Sequence, residues 1–113
     1  MTVTVGSIQT YESTRRWLAS RASLWGSHGD GEEIMEILAQ FCEIAGKNPD
    51  DMVDECLRRS IEGGPFVLRT RARREYIDRI ERFEADTGSR DAANAVRSFF
   101  IHNGVAMNPS ILP

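Results

Sequence analysis

The sequence predicts an all-α fold, a compact bundle of four or five short helices that forms one domain over residues 1–113. Two observations support this. Apolar residues recur at helical spacing in several segments, and most of those segments are bounded by capping residues, glycine or proline. No segment shows the sustained alternation of a convincing strand. A chain of 113 residues is long enough to build one hydrophobic core.

Two of the predicted helices have clear boundaries. Asp30 precedes Glu33 in a capping-box pattern, and Gly46 is a natural stop, so a helix is predicted over 31–45. Its apolar stripe is Ile34, Ile37, Leu38, Phe41 and Ala45. Asn48 and Pro49 begin a second helix over about 49–60, which ends before the breaker Gly63-Gly64-Pro65.

Two further helices and a less regular one complete the prediction. A helix from about 67 or 72 to 86 ends at Gly88, and its stripe is Tyr76, Ile77, Ile80 and Phe83. Ser89 caps the next helix, which ends at Gly104 and has the stripe Ala92, Val96, Phe99 and Phe100. A looser periodicity predicts an N-terminal helix over 9–24, with Ile8, Tyr11, Leu18, Ala22 and Trp25 as its apolar residues.

The charge is unevenly distributed along the chain. The formal net charge of −3 argues against a generic polyanion binder. Residues 1–55 carry a local −6, residues 56–83 a local +4, and residues 84–113 a local −1. Thirteen of the fourteen basic residues are arginine. Genome composition is the larger cause of this bias, but the planar guanidinium also suits contacts with phosphates and base edges.

Neither the cysteines nor the histidines predict a metal site. Cys42 and Cys56 are expected to be buried thiols in a reducing cytoplasm, with a disulfide or metal pair as the minority interpretation. His28 and His102 lie far from both cysteines in sequence, so zinc binding is not expected and no cofactor is predicted. No apolar run has the length of a membrane span and no secretory signal is present, so we expect a cytoplasmic protein without a membrane partner.

Catalysis within this chain is not expected. The sequence has no Gly-rich phosphate loop, no GxSxG motif and no carboxylate pair set apart from ordinary helix acids. Tyr11 and Tyr76 are its only tyrosines, and neither has the context of a nucleophile. Tyr76 is predicted to be a core residue.

The order of motifs resembles one known family. LAQFCEIAGKNPDDMV (38–53), then a basic helix, then TGSRDAANAVRSFFIHNGVAMNP (87–109), is similar to the N-terminal SAM-like (core-binding) domain of tyrosine recombinases, the phage integrases. The FFIHNG wording is most similar to archaeal members, and the resemblance covers about 30–109. It implies an orthogonal helical domain that clamps duplex DNA for site-specific recombination or integration. A separate C-terminal domain carries the catalytic residues in that family.

The resemblance also implies partners and a reason for the chain's end. The partners would be double-stranded DNA, the catalytic domain of the same protein and other recombinase protomers. Only four residues follow Asn108-Pro109, so the end is interpreted as a domain boundary, natural or made by truncation. Two features depart from the family: a long connection over 58–72 and the acidic net charge. Both leave the DNA-facing surface open.

Two sets of residues are the candidate DNA contacts. Arg69, Arg71, Arg73 and Arg74 form the densest cationic run and could contact phosphates; the alternative is a solvated face paired with Glu75 and Asp78. Arg90, Asn94 and Arg97 share one face of the last helix and are residue types that read base edges. The alternative there is a polar outer face, with Arg97 packing beside the core.

One weaker signal and a second function remain. Lys47 and Asn48 could hold a phosphate at a helix start. Asp50 and Asp51 already interact with the positive end of the same helix dipole, so a structural role is favoured. The alternative function is a helical protein–protein interaction module that uses the acidic face of residues 30–55 and has no nucleic-acid role. The local +4 favours DNA binding, and the global −3 favours this alternative.

Overall fold

The computed structural model describes residues 5–25, 31–59 and 66–107, and these are predominantly helical. The elements in chain order are α1 (Val5–Ile8), α2 (Glu12–Trp25), α3 (Gly31–Ala45), α4 (Pro49–Cys56), β1 (Leu57–Arg59), β2 (Phe66–Leu68), α5 (Thr70–Thr87) and α6 (Arg90–His102). The all-α class is therefore confirmed in its coarse form, with one short ribbon of two strands added to the helices.

Helix α6 is the centre of the core. It contacts α2, α3 and α5, which leaves little of its surface exposed. Its buried residues are Ala92, Ala93, Ala95, Val96, Ser98, Phe99 and Phe100. The Phe99 ring lies edge-to-face against Trp17 of α2, with ring centroids 5.6 Å apart. The predicted apolar stripe of this helix is confirmed, and Trp17 is fully buried beside it.

Helix α3 has the predicted bounds of 31–45. It ends where Gly46 takes a φ of +70°, a left-handed conformation that favours glycine. Phe41 packs edge-to-face on Phe83 of α5, with centroids 5.4 Å apart. The proposed cap at Asp30 lies outside the described residues.

Helix α4 begins at Pro49 as predicted but ends at Cys56 instead of residue 60. Beyond it, Leu57–Arg59 pairs with Phe66–Leu68 in an antiparallel ribbon, with Leu57 opposite Leu68. The prediction that the chain has no strand was wrong here, because pairing with a distant segment satisfies backbone groups that would otherwise continue the helix. The predicted breaker at 63–65 lies outside the described residues.

A polar junction fixes α2 against α4 and α6. The Ser13 amide donates to Asp50 Oδ1 over 2.9 Å, and the Ser13 hydroxyl donates to the same oxygen over 2.5 Å. Asp50 of α4 therefore caps α2 from another helix. The buried Asn103 donates from Nδ2 to the Ser13 carbonyl over 3.1 Å and to the Phe99 carbonyl over 2.9 Å. This junction helps place the start of α2 at residue 12 instead of residue 9.

The remaining predictions about the interior can be checked directly. Cys42 and Cys56 are buried free thiols, as predicted. Tyr76 is 4% exposed, which confirms its core position. Ala22 is exposed, although the N-terminal periodicity placed it on the apolar side. Within the described ranges, no helix has the length and apolar character needed to cross a membrane.

Candidate nucleic-acid interface

The start of α5 differs from the starts of the neighbouring helices. Residue Arg69 occupies its N-cap position with φ −91° and ψ 99°, and no side chain caps the helix. At α4, Asn48 Oδ1 accepts from the Asp51 amide over 2.8 Å, and at α6, Ser89 Oγ accepts from the Ala92 amide over 3.1 Å. The first turn of α5 also contains no acid. Its amide donors and its positive dipole end are therefore left without a compensating side chain.

Arginines are concentrated at this uncompensated helix start. Arg69, Arg71 and Arg74 are exposed, and Arg73 is partly buried. Arg73 Nε donates to the Ala106 carbonyl over 2.6 Å, so it binds the segment that follows α6. In the described part of the chain, no ion pair joins these four arginines to a carboxylate. Glu75 and Asp78 form no ion pair with these arginines, although both acids line a depression beside Arg71 and Arg74.

Two shallow depressions border the exposed arginines. One, of about 230 Å³, is lined by Glu55, Arg69, Arg71, Ala72, Glu75, Tyr76 and Arg79. The other, of about 470 Å³, is lined by Thr70, Arg71, Arg74, Glu75 and Asp78. Arg71 lines both depressions. We call the exposed surface formed by Arg69, Arg71 and Arg74 the α5 cationic surface.

A buried-to-exposed network supports one side of the α5 cationic surface. The Tyr76 hydroxyl donates to Glu55, and Lys47 Nζ lies 3.2 Å from the other oxygen of that carboxylate. The Arg79 guanidinium lies 5.6 Å from the centroid of the Tyr76 ring. Burial, followed by the bond to Glu55, raises the pKa of Tyr76 above its ordinary value. Lys47 is thus engaged in an ion pair, which agrees with its favoured structural role.

Two of the three α6 candidates contact the neighbouring helix α5. Arg97 Nη1 donates to Asn94 Oδ1 over 2.9 Å and to Glu84 Oε1 over 3.3 Å. Arg90 Nε lies 4.0 Å from the other Glu84 oxygen. The side chain of Arg97 is only 13% exposed, whereas that of Arg90 is 81% exposed. These contacts place Arg97 against Glu84 of α5 and Asn94 beside Arg97, where it is partly buried, whereas Arg90 is exposed to solvent.

Two contributors were missed by sequence reasoning. Arg79 had no assigned role, although its position three residues after Tyr76 places the two side chains on one helix face. The Ala106 carbonyl that binds Arg73 is a main-chain group, and no sequence signal identifies it. Among the described residues, no group of three His, Cys, Asp or Glu side chains could hold a metal ion.

Comparison with known proteins identified no relative of this chain. A scan of protein-family models, a search of curated proteins and a search of solved structures found no match to this chain.

Proposed function

We propose that this chain is a DNA-binding domain that holds duplex DNA through the α5 cationic surface. Following the resemblance of its motifs, we further propose that it is the core-binding domain of a site-specific tyrosine recombinase with the SAM-like orthogonal fold. In this proposal the chain itself is not catalytic, and a separate C-terminal domain performs strand exchange. The observation that carries the proposal is the cluster of exposed arginines at an uncapped helix start.

Electrostatics supports an anionic ligand at this place. A cation at a helix N-terminus opposes the helix dipole, and each such charge is worth about 0.3–1 kcal/mol. Arg71 and Arg73 lie in the first turn of α5, where the other long helices carry acids. This arrangement disfavours the isolated fold, and a bound phosphate would reverse the sign of the effect.

The proposed roles differ between residues. Arg69, Arg71 and Arg74 contact phosphates, which position the protein on the duplex without reading sequence. Arg73 has a shared role, because it also binds the Ala106 carbonyl. Arg90 is the α6 residue proposed to reach a base edge or the DNA backbone. Arg97 holds α6 against α5 through Glu84, and Asn94 Oδ1 accepts from Arg97 within α6.

The test is fluorescence anisotropy on a fluorescent duplex across a salt series. Because the net charge is −3, we expect weak binding with a log–log salt slope of a few units. The variant Arg71→Gln/Arg74→Gln should lower that slope by up to about two, since each phosphate contact contributes roughly 0.9. Arg15→Gln removes an exposed charge from α2 and serves as the control, with no expected change.

Two results would contradict the proposal. A salt slope near zero, or an unchanged slope in the Arg71/Arg74 variant, would remove the basis for DNA binding and favour the protein-interaction alternative. Separately, a nicking assay on supercoiled plasmid should show no cleavage. A covalent protein–DNA adduct through Tyr11 or Tyr76 would show that the chain is catalytic after all.

A further inference from the structure

A groove with an apolar floor lies between the end of α3 and the second half of α5, away from the arginines that begin α5. It encloses about 210 Å³ and is lined by Phe41, Ile44, Ala45, Arg79, Arg82, Phe83 and Asp86. Phe41 and Phe83 are almost fully buried and form its floor. We call this depression the α3–α5 groove.

An exposed isoleucine extends the apolar floor to the surface. Ile44 stands at the edge of the groove and is 66% exposed. Single apolar side chains are common on protein surfaces and by themselves indicate nothing. Leu24 of α2 is such a case, since it is 65% exposed and does not line the groove. Ile44 adjoins the two phenylalanines, so together they offer one apolar surface that an external side chain can cover.

The volume of the groove limits the size of its occupant. Sites for small molecules and cofactors usually enclose about 300–1,000 Å³. The α3–α5 groove encloses about 210 Å³, so it suits one large apolar side chain better than a cofactor. A side chain of that kind is carried by a peptide segment.

The rim of the groove selects the charge of that segment. It holds two arginines and one aspartate, so it is net cationic. Arg79 Nη1 donates to the Ala45 carbonyl over 3.4 Å, which places its guanidinium across one end of the groove. Arg82 is exposed and forms no ion pair in the described residues. The uncompensated charge of Arg82 attracts a carboxylate and repels a basic segment.

Asp86 fixes where that carboxylate lies. It is exposed and follows Arg82 by four residues, which is about 6 Å along a helix axis. An acid placed at the Asp86 end would face a like charge. The acid of the occupant therefore lies on the side of Arg79 and Arg82, and this requirement gives the bound segment a direction.

We propose that the α3–α5 groove binds a short acidic peptide segment of another protein. One large apolar side chain of the segment covers Phe41, Phe83 and Ile44, and a neighbouring carboxylate meets Arg82. Only one side chain is buried and the ion pair is exposed, so we expect a dissociation constant on the order of 10–100 μM. The inference is independent of the proposed DNA function, because no residue of the α5 cationic surface lines the groove.

The first experiment selects the occupant without assuming its sequence. Random peptides displayed on phage are depleted on the Ile44→Asp variant and then selected on the immobilised full chain. We expect enriched peptides to contain a large apolar residue with Asp or Glu close to it and without Lys or Arg beside it. Enrichment of basic peptides, or no enrichment over the Ile44→Asp variant, would overturn the proposal.

The second experiment measures the affinity of the selected peptide, labelled with a fluorophore, by fluorescence anisotropy. Arg82→Glu should raise the dissociation constant about tenfold or more, because it replaces attraction by repulsion. Arg15→Glu is the matched control on α2, since Arg15 is exposed and lies outside the groove. Ile44→Asp should weaken binding and Leu24→Asp should not. Circular dichroism checks that the variants remain folded.

A charge exchange tests the ion pair itself. A peptide whose acid is replaced by lysine should bind the Arg82→Glu variant more tightly than it binds the native chain. Asp86→Asn should strengthen binding of the acidic peptide about two- to threefold, because it removes a like charge from the rim. Equal weakening by Arg82→Glu and Arg15→Glu would overturn the proposal. So would displacement of the peptide by duplex DNA, or self-association of the chain that Ile44→Asp abolishes, since each assigns the groove to a different occupant.

Discussion

Helices α5 and α6 lie side by side and both carry arginines, but the burial and pairing of those arginines differ between the two helices. On α6, Arg97 is 13% exposed and bonded to Asn94 and to Glu84. At the start of α5, Arg71 and Arg74 are exposed and make no ion pair in the described part of the chain. Arg97 of α6 is directed at the protein, whereas Arg71 and Arg74 of α5 are directed outward.

The difference separates residues that stabilise the fold from residues free to bind a ligand. A paired and nearly buried guanidinium would leave a carboxylate in place if it were removed, so its loss is expected to destabilise the protein. An exposed and unpaired arginine contributes little to folding, and at a helix N-terminus its contribution is unfavourable. The predictions below test whether stability and binding divide along this line.

The largest expected effect is in the α6 core. Phe99 is fully buried and contacts the rings of Trp17 and Phe100. We expect Phe99→Ala to lower the free energy of unfolding by about 3–5 kcal/mol in urea denaturation. Arg74→Ala on α5 is the control and should change it by less than about 0.5 kcal/mol. Unchanged urea midpoints for both Phe99→Ala and Phe100→Ala would mean that α6 is not the central helix.

The polar junction should be the next most sensitive. Asn103 is 6% exposed, accepts from Arg16 over 3.1 Å and donates to the Ser13 and Phe99 carbonyls. Asn103→Ala should cost about 1–3 kcal/mol, because it removes three side-chain hydrogen bonds of a buried amide. Asn48→Ala removes the side-chain cap of α4 and should cost about 1 kcal/mol. If Asn48→Ala were less stable than Asn103→Ala, the polar junction would not be the more sensitive of the two sites.

The interior beneath the arginines can be tested through pH. Burial raises the pKa of Cys42 from 9.0 to about 12, and burial together with Glu55 raises that of Cys56 to about 12 against a smaller opposing effect of Arg73. Unfolding exposes thiols that ionise near 9, so the stabilisation is complete below pH 9 and declines as the pH rises toward 12. We expect a loss of about 1 kcal/mol per cysteine at about pH 10.

The measurement compares urea midpoints at about pH 7.5 and about pH 10 for the native chain and for Cys42→Ala/Cys56→Ala. The double variant should lose less stability over this interval, because other titrating groups are common to both proteins. An equal loss in the two proteins would mean that water reaches the thiols.

The smallest effect on stability is expected from replacing the arginine at the N-cap of α5 with a capping residue. Arg69→Ser gives α5 the cap that Ser89 gives α6, and it should stabilise the protein by about 1 kcal/mol while lowering the salt slope of DNA binding by up to about one. Ser89→Arg is the converse change, and it should destabilise α6 by about 1 kcal/mol without improving DNA binding. A stabilised Arg69→Ser variant with an unchanged salt slope would remove Arg69 from the proposed phosphate contacts.

Much of the helical organisation could be predicted because its signals are local. The bounds of α3, the start of α4 and the cap of α6 follow from residues within one turn of each end. The early end of α4 could not, because the ribbon at 57–59 depends on pairing with 66–68. The start of α2 depends on Asp50, which caps it from 37 residues away.

The candidate site divides in the same way. The cationic run over 69–74 is contiguous in sequence, so its concentration at one helix start could be predicted. The pairing of Arg97 with Glu84 could not, because it arises only when α5 and α6 pack together. Spacing on one helix shows which side chains share a face, but it does not show what that face meets.

The bond between Arg73 and the Ala106 carbonyl has a mechanical consequence. Val105 and Met107 are buried on either side of Ala106, so two buried side chains and one hydrogen bond hold this stretch on the protein. A pulling force applied to the chain beyond Met107 would act on this hydrogen bond, whose donor Arg73 lies in the first turn of α5. Tension would therefore be transmitted to Arg73 and through it to the first turn of α5.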